Sequence, residues 1–205
     1  MYNPVPFKME EPTRLFDFIE NNSFGILVSI NGGELQASHL PVLLDRSWGT
    51  RGALLSHMAQ ANTQWETLAG REVMMVFNGP HAYVSPTWYG TPESVPTWNY
   101  VSVHVYGRFI PVTDGGGITQ ILGKMTSFYE RALPEPWDLD RMPADYFRNL
   151  LGKIVGFRVE ISRMEGKWKL SQNHPAEKRE RVIQALEQGG HDSRQVAQWM
   201  REVIP

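Results

Sequence analysis

The sequence predicts a mainly β (α+β) fold, a small closed or partly closed antiparallel barrel with inserted and appended helices. Three observations carry this expectation. Between Tyr100 and Val112, Val101, Val103 and Val105 alternate with Ser102, His104 and Tyr106, the two-residue period of a strand with two different faces. The alternation returns at Val155, Phe157, Val159 and Ile161. Asn31-Gly32-Gly33 separates two strand-like runs as a hairpin turn. Six or seven strands are expected in all, and closing them into a barrel removes exposed sheet edges. A two-layer α+β sheet is the fallback.

The elements follow in chain order. Thr13 caps a short helix bearing Leu15, Phe16, Phe18 and Ile19, ended by Asn21, Asn22 and Ser23. Strands are expected over 24–30 and 34–44, with Pro41 marking an edge or a bulge. A polar loop then leads to a strand over 53–58 and a polar helical stretch over 61–69. Two separate strands, 72–77 and 82–85, precede a Pro-rich loop over 86–97. After the long alternating strand, Asp114 and three glycines break the pattern. Ile118, Ile121, Leu122, Met125 and Phe128 then mark a helix over 118–131, and a second helix covers 144–151. Glu165-Gly166 reads as a tight turn between the strand at 155–161 and a strand at 167–170. Two helices form the tail, with Pro175 in the first turn and Asp192 or Ser193 capping the second. Residues 1–173 are thus expected as the barrel domain and 174–205 as a helical extension packed on it or on a dimer.

Composition narrows the function. The 205 residues carry a formal net charge of −2, so no basic face is available to hold DNA by counterion release. There are no cysteines, which removes thiolate catalysis, disulfides and Cys-ligated metals. The start MYNPVPFKMEEP lacks the basic and long apolar stretches of a signal peptide, and no run spans a bilayer. A soluble, cytoplasmic protein without a membrane partner is the expectation. The six histidines, His39, His57, His81, His104, His174 and His191, form no HxxxH or HExxH pair, so no metal site is expected. No GxSxG, GxGxxG or P-loop occurs. Gly115-Gly116-Gly117 precedes a helix, but without the flanking pattern of a nucleotide motif it reads as a connector.

Four segments instead place hydrogen-bonding side chains beside flat rings: 56–65, 79–89, 95–100 and 167–173. Such surfaces suit either a planar heteroaromatic ligand with a charged tail or tryptophan-rich packing corners. On the ligand reading, Ser, Thr and Asn hold a phosphate and Lys169 supplies a countercharge.

In order along the chain stand His39-Leu40-Pro41, Ser56-His57-Met58-Ala59 with Ala61-Asn62 and Gln64-Trp65, Gly79-Pro80-His81-Ala82-Tyr83-Val84-Ser85-Pro86 with Trp88-Tyr89, Val95-Pro96-Thr97-Trp98-Asn99-Tyr100 with Val103-His104-Val105-Tyr106-Gly107, Ile154-Val155-Gly156-Phe157 and Lys167-Trp168-Lys169-Leu170-Ser171-Gln172-Asn173. They resemble the hallmark stretches of the PaiB-like family across nearly the whole chain. The resemblance implies a split antiparallel β-barrel of the pyridoxamine-phosphate-oxidase type, a homodimer with FMN in clefts between subunits, and a negative transcriptional regulator of degradative-enzyme and sporulation genes. Related flavin barrels hold the FMN phosphate with an Arg-Lys pair after the strand matching 53–58. Here Asn62 and Thr63 stand there, which leaves two readings: compensation by Lys169, Arg51 or a partner-chain residue, or weak flavin binding with another ligand held instead.

The expected cofactor-binding set is Ser56, His57, Met58, Asn62, Thr63, Trp65, Trp98, Asn99, Lys169, Ser171 and Gln172. The phosphate is expected near Ser56, His57, Asn62 and Thr63, where a strand ends and a helix begins. The ring is expected toward Trp98, Asn99 and the strand bearing Lys169. A flavin-dependent oxidoreductase is the alternative, with His57, His104 or Tyr83 donating a proton and an unidentified substrate. A haem-handling protein with a His ligand is a third reading. The tail helices read as docked helices rather than as a DNA-reading helix-turn-helix, because the second carries only Arg194 and Arg201 as cations.

Overall fold

The computed structural model describes residues 1–203. Among them are eight strands: β1 (Lys8–Met9), β2 (Phe24–Asn31), β3 (Glu34–Pro41), β4 (Leu43–Asp45), β5 (Ala53–Ala59), β6 (Glu72–Val84), β7 (Thr97–Val112) and β8 (Ile154–Lys169). Five helices accompany them: α1 (Pro12–Asn21), α2 (Gly115–Glu130), α3 (Ala144–Leu151), α4 (Ala176–Glu187) and α5 (His191–Val203). The strands form one sheet in the order β3-β2-β6-β7-β8-β5-β4, with β1 on β8. The pairs β1–β8, β2–β3, β2–β6, β4–β5 and β5–β8 are antiparallel. No described helix is long and apolar enough to cross a membrane.

The chain divides into two compact units. The first comprises Met1–Leu15, Asn78–Val103 and the chain from Glu165 onward; the second comprises Phe16–Phe77 and His104–Met164. In the second unit, alternation along β2, β5, β6 and β8 buries Leu27, Leu54, Met75, Phe77, Phe157 and Val159 on one side of the sheet. Phe109 and Phe157 stack there, with ring centres 4.7 Å apart. On the other side α2 lays Ile121 and Met125 over Leu43 and Leu55. In the first unit, α4 and α5 pack Val182, Ile183, Leu186, Val196 and Met200 into a core that also holds Trp168 and Leu170. Trp199 meets Trp168 edge-on at 5.9 Å. The tail helices therefore pack within the first unit.

Several elements depart from the sequence expectation. The return strand breaks at Val42, whose N–H turns to the Ser23 carbonyl at 2.8 Å, giving separate β3 and β4. The polar helical stretch is only a 3₁₀ segment, Thr63–Thr67. Gly79-Pro80 does not split the following region, and β6 runs unbroken from Glu72 to Val84. The three glycines form the first turn of α2, with the Asp114 carboxylate accepting from Gly117 N at 2.7 Å. Glu165-Gly166 is no turn: β8 continues through it, and Gly166 lies opposite Met9 of β1. A Cβ on Gly166 would meet Trp168 Cζ3 at 2.7 Å and the Met9 carbonyl oxygen at 2.9 Å. Close approach of neighbours, rather than turn geometry, requires glycine here. Two caps also shift. Helix α1 begins at Pro12, and α5 begins at His191, one residue before its expected cap.

One face of β2, β3 and β6 is apolar and open. Register places Phe24, Ile26, Val28 and Ile30 on the same face as His39, Ala37 and Leu35 of β3, and as Val76 and Met74 of β6. Phe24, Ile30 and Leu35 expose 66%, 60% and 76% of their surface, whereas Leu27 on the opposite face is fully buried.

Candidate functional site

The expected cofactor residues fall into two groups, one in each unit. Ser56, His57, Met58, Asn62, Thr63 and Trp65 belong to the second unit; Trp98, Asn99, Lys169, Ser171 and Gln172 belong to the first.

In the second unit, neighbours along β5 point to opposite faces. Ser56 and Met58 are buried, and the Ser56 hydroxyl donates to the Pro41 carbonyl at 2.6 Å. His57 faces the other way, opposite Gly156 of β8. It is half-buried, its Nδ1 has no hydrogen-bond partner, and burial holds its pKa below the ordinary 6.5. Beyond the strand, Asn62 caps the 3₁₀ turn: its side chain accepts from Gln64 N at 3.0 Å and donates to Ser38 Oγ at 2.8 Å. One of the backbone amides that a helix start would offer a phosphate, Gln64 N, is thus served from within the chain. Gln64, which sequence reasoning passed over, is the centre of this corner. It is buried, donates to Ser29 Oγ at 2.9 Å and accepts from Ser38 Oγ at 2.6 Å. The Trp65 indole donates to the Gln60 carbonyl at 3.2 Å. Thr63 is exposed.

In this unit the sequence named only Arg51 as a countercharge, and Lys153 is a further candidate. Gln60 N donates to the Lys153 carbonyl at 2.8 Å, which places the Lys153 backbone beside the end of β5. Lys153 makes no ion pair among the described residues. His57 Nδ1 is thus a buried polar atom without a partner on β5, and the Thr63 hydroxyl and the Lys153 ammonium belong to exposed residues of the same unit.

In the first unit, Asn99, Lys169 and Ser171 do meet, around a cavity of about 340 Å³ that Tyr89 and His174 also line. Asn99 Nδ2 donates to Ser171 Oγ at 3.0 Å, and the Tyr89 hydroxyl lies 3.4 Å from the same atom. Lys169 Nζ donates to the Trp98 carbonyl at 2.7 Å and to Thr97 Oγ1. Gln172 is committed to its own turn, accepting from Leu170 N and donating to the Trp168 carbonyl. The Trp98 ring is exposed and lies between His81 and Tyr83, at 6.1 and 5.9 Å. Neither Tyr89 nor His174 was in the expected cofactor set. Tyr89 sits at the end of the 79–89 segment, whereas nothing in the sequence marked His174.

Similarity to known proteins agrees with this architecture. A solved structure of an FAD and heme binding protein from Mycobacterium smegmatis superposes with a TM-score of 0.63 at 16% identity, over 90% of this chain and 80% of that one. The two chains share one fold, a split antiparallel β-barrel. A family model described as "Putative FMN-binding domain" matches residues 1–163. The "Protease synthase and sporulation protein PAI 2" of Bacillus subtilis (strain 168) is 32% identical over 206 residues, covering 100% of this chain and 98% of that protein. An uncharacterised protein of Aspergillus fumigatus is 33% identical over 226 aligned residues, with 86% and 87% coverage. The chain belongs to the PaiB-like family of FMN-binding proteins, and FMN is its cofactor.

Proposed function

We propose that this protein is a homodimeric flavin-dependent regulator, in which FMN bound in a cleft between subunits governs a regulatory output. The regulatory part rests on similarity to a relative whose name records protease synthesis and sporulation. The observation that carries the dimer is the open apolar face of β2, β3 and β6. A patch of this kind exposed on a lone protomer is costly, and a second copy related by a two-fold axis covers it with itself.

Within the protomer, the FMN polar end is held where β5 ends, by His57, Thr63 and the Lys153 ammonium, with Asn62 and Trp65 shaping that corner. FMN supplies one- or two-electron redox chemistry when bound. The protein's part is to orient it, to offer hydrogen bonds from neutral side chains and to supply one cation. His57 is neutral at physiological pH because burial disfavours its imidazolium.

The test is flavin fluorescence quenching by the purified protein and by Lys153→Ala and His57→Ala. A charge-assisted contact contributes about 1.5–3 kcal/mol, so Lys153→Ala should weaken FMN roughly tenfold or more. Unchanged affinity in both variants would refute this placement. The half-buried, neutral His57 also favours a second reading, a flavin-dependent oxidoreductase with this ring as proton carrier. Anaerobic NADH or NADPH separates the two: bleaching of the yellow protein would replace the regulator with the enzyme.

A further inference from the structure

We propose that the cavity of about 340 Å³ in the first unit is a binding site for a small planar carboxylate, distinct from the flavin's. Its anionic group is held by Lys169 and Ser171, and its flat body lies against His174, which Tyr89 backs. The inference goes beyond the flavin reading, because Lys169, Ser171 and His174 all follow residue 163, where the match to the FMN-binding family model ends.

The first argument is uncompensated charge. Lys167, Lys169 and Lys178 all lie in this unit, and none makes an ion pair among the described residues. Their ammonium groups donate instead to neutral oxygens: the Tyr2 carbonyl, the Trp98 carbonyl and Thr91 Oγ1. Lys167 is only 7% exposed. Burial first, and then Lys167, push the Lys169 pKa down. Burial, Lys178 and Lys169 push the His174 pKa down in turn. Glu93 also lines the cavity, but it is exposed and reaches none of these lysines within ion-pair distance. Cations withdrawn from water without a counterion are costly, and an anion in the cavity offsets that cost.

The second argument is backbone strain. Ser171, with φ of 64°, is the only non-glycine residue in the left-handed region among those described. A serine gains nothing from that conformation, and it persists only where its surroundings enforce it. Here Asn99 grips the hydroxyl at 3.0 Å from inside the core, which sets Ser171 at the cavity wall. The serine's own proton is engaged only through long contacts, with Asn99 Oδ1 at 3.3 Å and the Tyr89 hydroxyl at 3.4 Å, which a closer ligand oxygen would displace.

The third argument selects the ligand class. An ammonium has three N–H donors, and Lys169 uses two of them on Trp98 and Thr97. One N–H, the Ser171 hydroxyl and the Tyr89 hydroxyl match the two oxygens and single charge of a carboxylate better than a phosphate dianion. The half-buried His174 ring, backed by the buried Tyr89 ring at 4.6 Å and 37°, offers a face to a flat body. The volume sits at the low end of small-molecule pockets.

The experiment uses FMN-loaded full-length protein and three probes: benzoate, its neutral isostere benzamide, and phenyl phosphate. Calorimetry or ligand-detected NMR measures affinity in wild type, Lys169→Met and Ser171→Ala. Flavin absorbance and the urea midpoint report on cofactor and folding. The expected result is saturable benzoate binding, with benzamide at least tenfold weaker. Lys169→Met should lower benzoate affinity about tenfold, the loss of one charge-assisted contact, with flavin content unchanged. Ser171→Ala should lower it by a smaller factor. Three results would overturn the proposal: no saturable benzoate binding up to roughly 10 mM, the weak end of measurable affinities; equal affinity for benzamide; or tighter binding of phenyl phosphate. Loss of flavin in Lys169→Met, with benzoate displaced by FMN, would also overturn it and assign the cavity to the cofactor.

Discussion

Replacing Gly166 by alanine separates two physical accounts of the same residue. As the tip of a tight turn, glycine would be needed for a positive φ, and alanine would cost about 1 kcal/mol. As a strand residue facing β1, it is needed because there is no room. The added methyl would run into Leu15, approach Trp168 Cζ3 to 2.7 Å and the Met9 carbonyl oxygen to 2.9 Å. Leu15 and Trp168 are 3% and 1% exposed, so neither has space to swing away, and Met9 presents backbone. Overpacking of this kind costs about 1–3 kcal/mol, and rigid neighbours on every side put the cost at the upper end, about 3 kcal/mol. With a urea m-value of about 2 kcal/mol/M, the midpoint should fall by roughly 1.5 M. Gly32→Ala is the control: φ is +58° there and nothing lies within 4 Å of an added Cβ, so only the conformational cost of about 1 kcal/mol applies. Urea unfolding followed by tryptophan fluorescence measures both. A Gly166→Ala midpoint at or above that of Gly32→Ala would refute the steric account.

Three further outcomes are expected. His57 and His174 both have folded-state pKa values below 6.5, so the unfolded chain binds protons that the folded chain refuses, and stability should fall as pH drops below about 6.5. His57→Gln should flatten that decline in urea midpoints between pH 7 and 5; parallel profiles would exclude His57 as a contributor. Val28→Lys places a charge in the middle of the open apolar face, and sedimentation should shift from about twice 23.4 kDa toward a single protomer. A wild-type monomer at micromolar concentration would remove the dimer. With a net charge of −2, the protein should show no tight binding to random duplex DNA at physiological salt, and a mobility shift at nanomolar protein would contradict this.

Parts of the site were legible because they are local. Lys169, Ser171 and Asn99 stood in two aromatic–polar strings, and the structure brings them to one cavity. The remainder of that cavity was not legible. His174 is a lone histidine after a turn, and only docking of the chain beyond β8 brings its ring to Tyr89. Lys153 joins the end of β5 through a backbone bond to Gln60, a contact 93 residues apart in sequence that no motif encodes. Conversely, Ser56 and Asn62 read as ligand donors because serine and asparagine look alike whether they face a ligand or a carbonyl. Their actual partners, Pro41 and Ser38, belong to β3.

By itself the sequence determined the strand alternation of β7 and β8, the hairpin at Gly32-Gly33, the helices α2 and α3, and the family. Each of these is written in side-chain periodicity or in contiguous strings, which neighbours along the chain suffice to express. Tertiary structure alone decided that Gly79-Pro80 and Glu165-Gly166 lie inside continuous strands. It also decided that the residues of the expected flavin set divide between two compact units and that Ser171 is held in a left-handed conformation beside unpaired lysines. The physical reason is the same in each case. Whether a glycine makes a turn or admits a neighbour, and whether a polar group is spent or free, depends on what stands opposite it, and pairing with distant strands settles that.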